Sequence, residues 1–268
     1  MSCPKRAYTV FTKPWKMPLA DLGRFVRNLG FDGVELPVRS GFPVTPETVA
    51  DGLPAAARTL GEFGLRIGSV AAEATEPVIA ACGEAGVPIV RICVPIPPEK
   101  DYLTAIEDFQ RQWDALVPAL DRSGVALGIQ NHCNRFITHA MHLHHAIGRY
   151  DPKHVCAVWD AAHNALQGED VELALDVVWS HLRLVNLKNA YWRRVNGPEA
   201  EAARWKHYWT SGRHGLADWA RVARALARRG YRGDLCLTAE YSDASVVDRL
   251  IAEDLAYART LFGTAPSG

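Results

Sequence analysis

Asp160 and His163 stand three residues apart in KHVCAVWDAAH, just after an apolar run from Val155 to Trp159. A carboxylate and an imidazole delivered together can move a proton, hold a substrate hydroxyl or ligate a metal. Three further runs end in the same manner. GVALGIQNH closes on Gln130, Asn131 and His132, LRLVNLKNA carries Asn186 and Lys188, and GDLCLTAEY closes on Glu240. Polar groups at four successive strand ends, all from the second half of the chain, are expected to share one pocket where barrel strands end.

The elements that must position them follow from the alternation of short apolar runs with longer amphipathic stretches. Strands are expected near 7–11, 31–38, 65–73, 88–95, 125–130, 155–160, 182–187 and 234–240, with a helical stretch after each. Thr45, Pro46 and Gly64 read as the cap, first turn and stop of the second helix. Eight strands and eight helices in 268 residues predict one domain over 1–268, a closed (β/α)8 TIM barrel of the α/β class, for which about 250 residues is typical. If Gln130, Asp160, Asn186 and Glu240 face inward, period-two alternation also turns Gly128, Cys156, Val158, Leu184 and Cys236 inward. The bulkier Leu127, Ile129, Trp159, Val185 and Leu237 then pack under the helices.

One segment breaks the rhythm. Residues 188–214 form a long connection after the seventh strand, rich in aromatic residues that argue against disorder. It reads as a cap stacking rings such as Trp192 on a ligand, or equally as an oligomer contact.

Lys and Arg total 30 and Asp and Glu total 30, which gives no support to a polyanionic partner such as nucleic acid. Six cysteines are scattered without a CxxC pair and several sit in apolar runs, the pattern of buried thiols in a reducing compartment. The opening MSCPKRAYTVFTKPW lacks an apolar core of signal-peptide length, and no apolar stretch approaches the ~18 residues of a membrane span. The expected location is the cytoplasm, with no membrane partner and possible assembly into a homo-oligomer. P-loop, GxSxG and dinucleotide fingerprints are all missing from the sequence.

GFDGVELP at 30–37, QNH at 130–132, WDAAH at 159–163, LVNLKN at 184–189 and TAE at 238–240 together resemble the sugar phosphate isomerase/epimerase superfamily of xylose isomerase-like TIM barrels. The resemblance spans nearly the whole chain. It implies a divalent cation held by a Glu, an Asp, a His and a Glu after strands five to eight. Asp160 and Glu240 match two of these; Gln130 replaces the first Glu and Asn186 the His. An all-oxygen set of Gln130, Asp160, Asn186 and Glu240 would suit Mn²⁺ or Mg²⁺. The alternative is that Gln130 and Asn186 bond one another or Glu240 in a metal-free pocket.

An amide cannot take a proton, so two-carboxylate epimerisation is in doubt, and Glu240 becomes the principal base, with His163 and His132 as second acid or base. Lys188 could reach an oxyanion, or form a rim salt bridge. Glu35, Trp15 and Arg39, with Lys13, are further pocket candidates, and Arg91 is a buried ion partner for Glu35 or Glu73. His139, His142, His144 and His145 read as a solvated helix face. The expected activity is a metal-dependent isomerase, epimerase or lyase acting on a small-molecule carbohydrate or keto-sugar. The competing readings are a non-catalytic carbohydrate-binding barrel and, from the same resemblance, a phosphodiester-cleaving relative.

Overall fold

The structure, a computed structural model, describes residues 6–263; Cys3 lies outside them. In chain order the first half runs β1 (Tyr8–Phe11), α1 (Leu19–Leu29), β2 (Gly33–Pro37), α2 (Val49–Gly61), β3 (Arg66–Ala71), α3 (Glu76–Ala85), β4 (Ile89–Cys93) and α4 (Tyr102–Ser123). The second half runs β5 (Ala126–Gln130), α5 (Ala140–Ile147), β6 (Val155–Asp160), α6 (Ala161–Leu166), α7 (Val171–Val178), β7 (Leu182–Leu187), β8 (Asn189–Arg194), β9 (Trp205–Thr210), α8 (Trp219–Arg228), β10 (Asp234–Leu237) and α9 (Val247–Phe262). Eight parallel strands close in the order β1-β10-β7-β6-β5-β4-β3-β2. The (β/α)8 barrel read from the sequence is the observed fold.

The strand alternation sorts the core into two shells. Phe11, Ala71, Ile89, Val158, Leu184 and Cys236 fill the barrel interior. Leu127, Ile129, Trp159, Val185 and Leu237 pack outward under the helices. The interior is tight: a Cβ on Gly128 would meet Val158 at 2.7 Å and Ile89 at 2.8 Å, so only a residue without one fits. Among the described residues no helix is long and apolar enough to cross a membrane.

Three differences from the expected elements bear on the site. The second helix begins at Val49 rather than near Thr45, because the Thr48 hydroxyl accepts the Thr45 N–H at 3.1 Å and holds a turn there. The last barrel strand stops at Leu237, and Ala239 then adopts a left-handed φ of 50°, which carries Glu240 past the strand end. Residues 188–214 are no irregular loop: β8 and β9 form an antiparallel hairpin in which Ala190 faces Trp209 and Tyr191 faces Tyr208.

Candidate active site

Register brings the polar strand ends together. Asp160 lies opposite Asn186 across β6 and β7, Asn186 opposite Cys236 on β10, and Gln130 opposite Cys93 on β4. Asp160 is also the cap of α6. Its Oδ1 accepts the backbone N–H of Ala162 at 2.9 Å and of His163 at 3.1 Å, and its Oδ2 accepts Gln130 Nε2 at 3.0 Å. Asn131 fastens the same residue from behind, accepting the Asp160 N–H at 2.7 Å and donating to its carbonyl at 3.2 Å. Burial pushes the Asp160 carboxyl up to about 6, against the opposing pull of Lys188 and the two backbone donors.

The backbone of Cys133 sets the tautomers of two imidazoles. Its N–H donates to His163 Nδ1 at 3.1 Å, so that nitrogen bears no proton and the neutral ring carries its hydrogen on Nε2. Its carbonyl lies 2.9 Å from His132 Nδ1, which must therefore donate, leaving a lone pair on His132 Nε2. The rings are 4.0 Å apart at their centroids. Burial lowers His132 to about 4 and His163 well below the ordinary histidine range, so both are neutral at pH 7. His163 Nε2 is buried, 3.9 Å from Asp160 Oδ2, and has no hydrogen-bond partner among the described residues. Both side-chain polar atoms of Asn186 are orphaned in the same way. Three buried polar atoms without partners in one place is costly unless a ligand or water meets them.

Glu240 is clamped by two lysines, Lys13 on Oε1 and Lys188 on Oε2, each at 2.5 Å. Burial would push its carboxyl up, but the two ammonium groups outweigh that and hold it at about 2. Lys188 Nζ also sits 3.6 Å over the centroid of the Trp209 ring, whose edge meets His163 at 5.3 Å between centroids. Trp209 on β9 thus covers the pocket. The sequence placed it in the aromatic connection without singling it out, because only the hairpin register shows where it points.

The remaining candidates are dispersed. Glu35 is fully buried and takes Arg91 Nε at 3.0 Å, Arg91 Nη2 at 2.7 Å and the Ser69 hydroxyl at 3.0 Å, the first of the two pairings open to Arg91 in the sequence. Trp15 is buried, with its indole N–H on Asp248 at 2.8 Å. Trp192 is 38% exposed and donates to the Leu166 carbonyl at 3.0 Å. Arg39 lines a cleft of about 710 Å³ at the ends of β2, β3 and β4, together with Glu73, Arg91 and Cys93. The Cys93 thiol, 3.6 Å from Gln130 Oε1, connects that cleft to the centre.

The donor set can be tested against the divalent cation that the resemblance implies. His132, Cys133 and His163 bring three potential ligand atoms within 4.8 Å. In this arrangement the Cys133 N–H already occupies His163 Nδ1, and burial raises the Cys133 thiol. In the oxygen set, Gln130 presents its N–H₂ to Asp160, and both Glu240 oxygens are taken by ammonium groups. Asn186 Oδ1 has no partner among the described residues, and Gln130 Oε1 meets only the Cys93 thiol. As hydrogen-bonded here, the oxygen set does not fit a divalent ion.

A closed parallel barrel with its polar constellation at the carboxyl end of the strands places the chain in a class of enzyme folds. The sequence profile of the xylose isomerase-like TIM barrels matches residues 24–261, and the chain belongs to that family. Among solved structures it is similar to D-psicose 3-epimerase from Clostridium cellulolyticum H10, with TM-score 0.72 and 14% identity over 96% of this chain and 99% of that one. It is also similar to a xylose isomerase domain protein from Planctomyces limnophilus, with TM-score 0.70 and 18% identity over 96% of each chain. A third is 3-keto-D-glucoside 4-epimerase from E. coli, with TM-score 0.71 and 15% identity over 96% of this chain and 100% of that one. No curated protein sequence matches.

Proposed function

We propose that the protein is an isomerase, epimerase or lyase that moves a proton beside the carbonyl of a sugar or keto-sugar. The observation that carries this reading is the orphaned set of Asn186 Oδ1, Asn186 Nδ2 and His163 Nε2–H beside Asp160. A sugar offers oxygens that accept and hydroxyls that donate, so one ligand can satisfy all three. Two of the similar solved structures are sugar epimerases, which favours the same substrate class.

The ion pairs shift the base role from Glu240 to Asp160. A carboxylate held at about 2 is a poor base at neutral pH, whereas one near 6 is matched to the task. Asp160 takes the proton, and the electron pair moves onto the carbonyl oxygen, facing His163 Nε2–H and the Lys188 ammonium. Return of the proton to the adjacent carbon gives isomerisation, and delivery of a proton to the opposite face by a second group gives epimerisation. Departure of a β-hydroxyl as water, with the proton that Asp160 took returned to it, gives elimination. His132, with its free Nε2, is the acceptor available for a second proton. The cleft beside Cys93 leaves room for a substrate arm reaching Arg39.

Access requires the Trp209 cover to move, since Asp160, Asn186 and His163 are fully buried. The five described cysteines are all free, which favours the cytoplasm. Exposed Val195 and Trp205 on the hairpin favour a homo-oligomer contact there, which sedimentation measures.

The test is a product screen with ketohexoses and 3-keto-glycosides, comparing the wild type with Asp160→Asn. Turnover lost in the variant is expected. Saturable sugar binding with no product from any member of the panel would replace the enzyme by a binding barrel.

A further inference from the structure

We propose that the Lys188 ammonium, rather than a divalent ion, supplies the positive charge of this centre. The sugar ligand in this inference rests on the reading above; the charge argument rests on the side chains alone.

Lys188 is 6% exposed, deep for an ammonium, and is held from two sides: Glu240 Oε2 at 2.5 Å and the face of Trp209 at 3.6 Å. Its position is therefore fixed rather than that of a wandering rim lysine. The charges around it already balance. Asp160 and Glu240 contribute two negative groups, Lys188 and Lys13 two positive ones, and Arg91 is spent on Glu35. A dication entering this set would add two uncompensated charges, and hard dications depend on carboxylate oxygens that are free to turn toward them. Both are already engaged: Asp160 accepts three N–H groups, which leaves a single lone pair on its Oδ2, and Glu240 accepts two ammonium groups.

The orphaned atoms agree. Two of the three, Asn186 Nδ2 and His163 Nε2–H, are donors, and only Asn186 Oδ1 accepts. A cation would satisfy the acceptor and repel both donors. A sugar hydroxyl satisfies donor and acceptor together, and a carbonyl oxygen gaining negative charge is met by the two N–H groups and the ammonium. The replacement of a Glu and a His by Gln130 and Asn186 thus goes with a lysine that does the ion's electrostatic work.

The experiment titrates Mn²⁺ into the purified protein, following the free-ion paramagnetic resonance signal, for the wild type, Lys188→Met and Lys188→Arg. The wild type is expected to take up no Mn²⁺ below ~1 mM, a range in which built oxygen sites for such ions fill. Lys188→Met, with its carboxylates no longer neutralised, is expected to bind at least about tenfold more tightly, and Lys188→Arg to exclude the ion as the wild type does. One Mn²⁺ per wild-type chain at micromolar concentration overturns the proposal. So does an unchanged affinity in Lys188→Met, or a gain in Lys188→Arg equal to that in Lys188→Met. A parallel calorimetric titration with D-fructose separates the two ideas: no sugar binding with or without chelator defeats the carbohydrate reading and leaves the charge assignment standing.

Discussion

Replacing Arg91 by Met removes one half of an ion pair that lies beneath the active centre. Glu35 is fully buried, and its two oxygens take three hydrogen bonds, two from Arg91 at 3.0 and 2.7 Å and one from Ser69 at 3.0 Å. In Arg91→Met the carboxylate keeps only the serine, and Phe11 loses the guanidinium that sits 4.9 Å from its ring centroid. Stranding a buried charge costs about 3–5 kcal/mol, which for a chain of this size lowers the melting temperature by roughly 10 °C. The double variant Glu35→Gln, Arg91→Met leaves no charge behind and is expected to recover most of that loss. Urea and thermal unfolding of the wild type, both single variants and the double variant measure the cycle. An Arg91→Met protein within about 1 kcal/mol of the wild type, or a double variant no more stable than Arg91→Met, would refute the reasoning. The pair matters to the site because Arg91 Nη1 reaches Cys93, and Cys93 reaches Gln130, the partner of Asp160.

Trp209→Ala strips the ring from over Lys188 and His163 and is expected to weaken sugar affinity by about tenfold, the scale of a lost cation–π contact and cover, as read by calorimetry. If Asp160 is the base, the turnover rate falls as the pH drops through about 6 and levels off above it; a rate flat from pH 5 to 8 would assign the proton elsewhere. The same shift bears on stability. The folded value lies above the ordinary 3.8, so this group's stabilising contribution is full below the ordinary value and lost as the pH rises through about 6. The ionised carboxylate then costs about 3 kcal/mol at neutral pH, and Asp160→Asn is expected to fold with a weaker pH dependence of its melting temperature.

The barrel and the convergence of its polar strand ends were legible because both depend on local pattern. Period two put Gln130, Asp160 and Asn186 on one face and Leu127, Trp159 and Val185 on the other, and closure did the rest. The Arg91 and Glu35 pair was legible as an option, since an arginine inside a strand needs a carboxylate. What could not be read was anything fixed by backbone outside the strands. The tautomers of His132 and His163 depend on where the Cys133 peptide points. Trp192 and Trp209 look alike in sequence, and only the register of β8 against β9 turns one outward and the other over Lys188. Trp15 follows a strand and so looked like pocket lining, but Asp248 from α9 draws its indole into the core. The donation from Gln130 to Asp160 was equally out of reach, because composition gives a residue's groups and not their orientation.

The most direct measurement is deuterium wash-in. Ketohexoses and 3-keto-glycosides incubated in D₂O with the protein, with chelator present, are followed by NMR at the carbon beside the carbonyl. Proton abstraction by Asp160 predicts deuterium at that carbon with the wild type and none with Asp160→Asn, whether or not a net product forms. Saturable binding of a sugar without exchange, or exchange that persists in Asp160→Asn, would contradict the account.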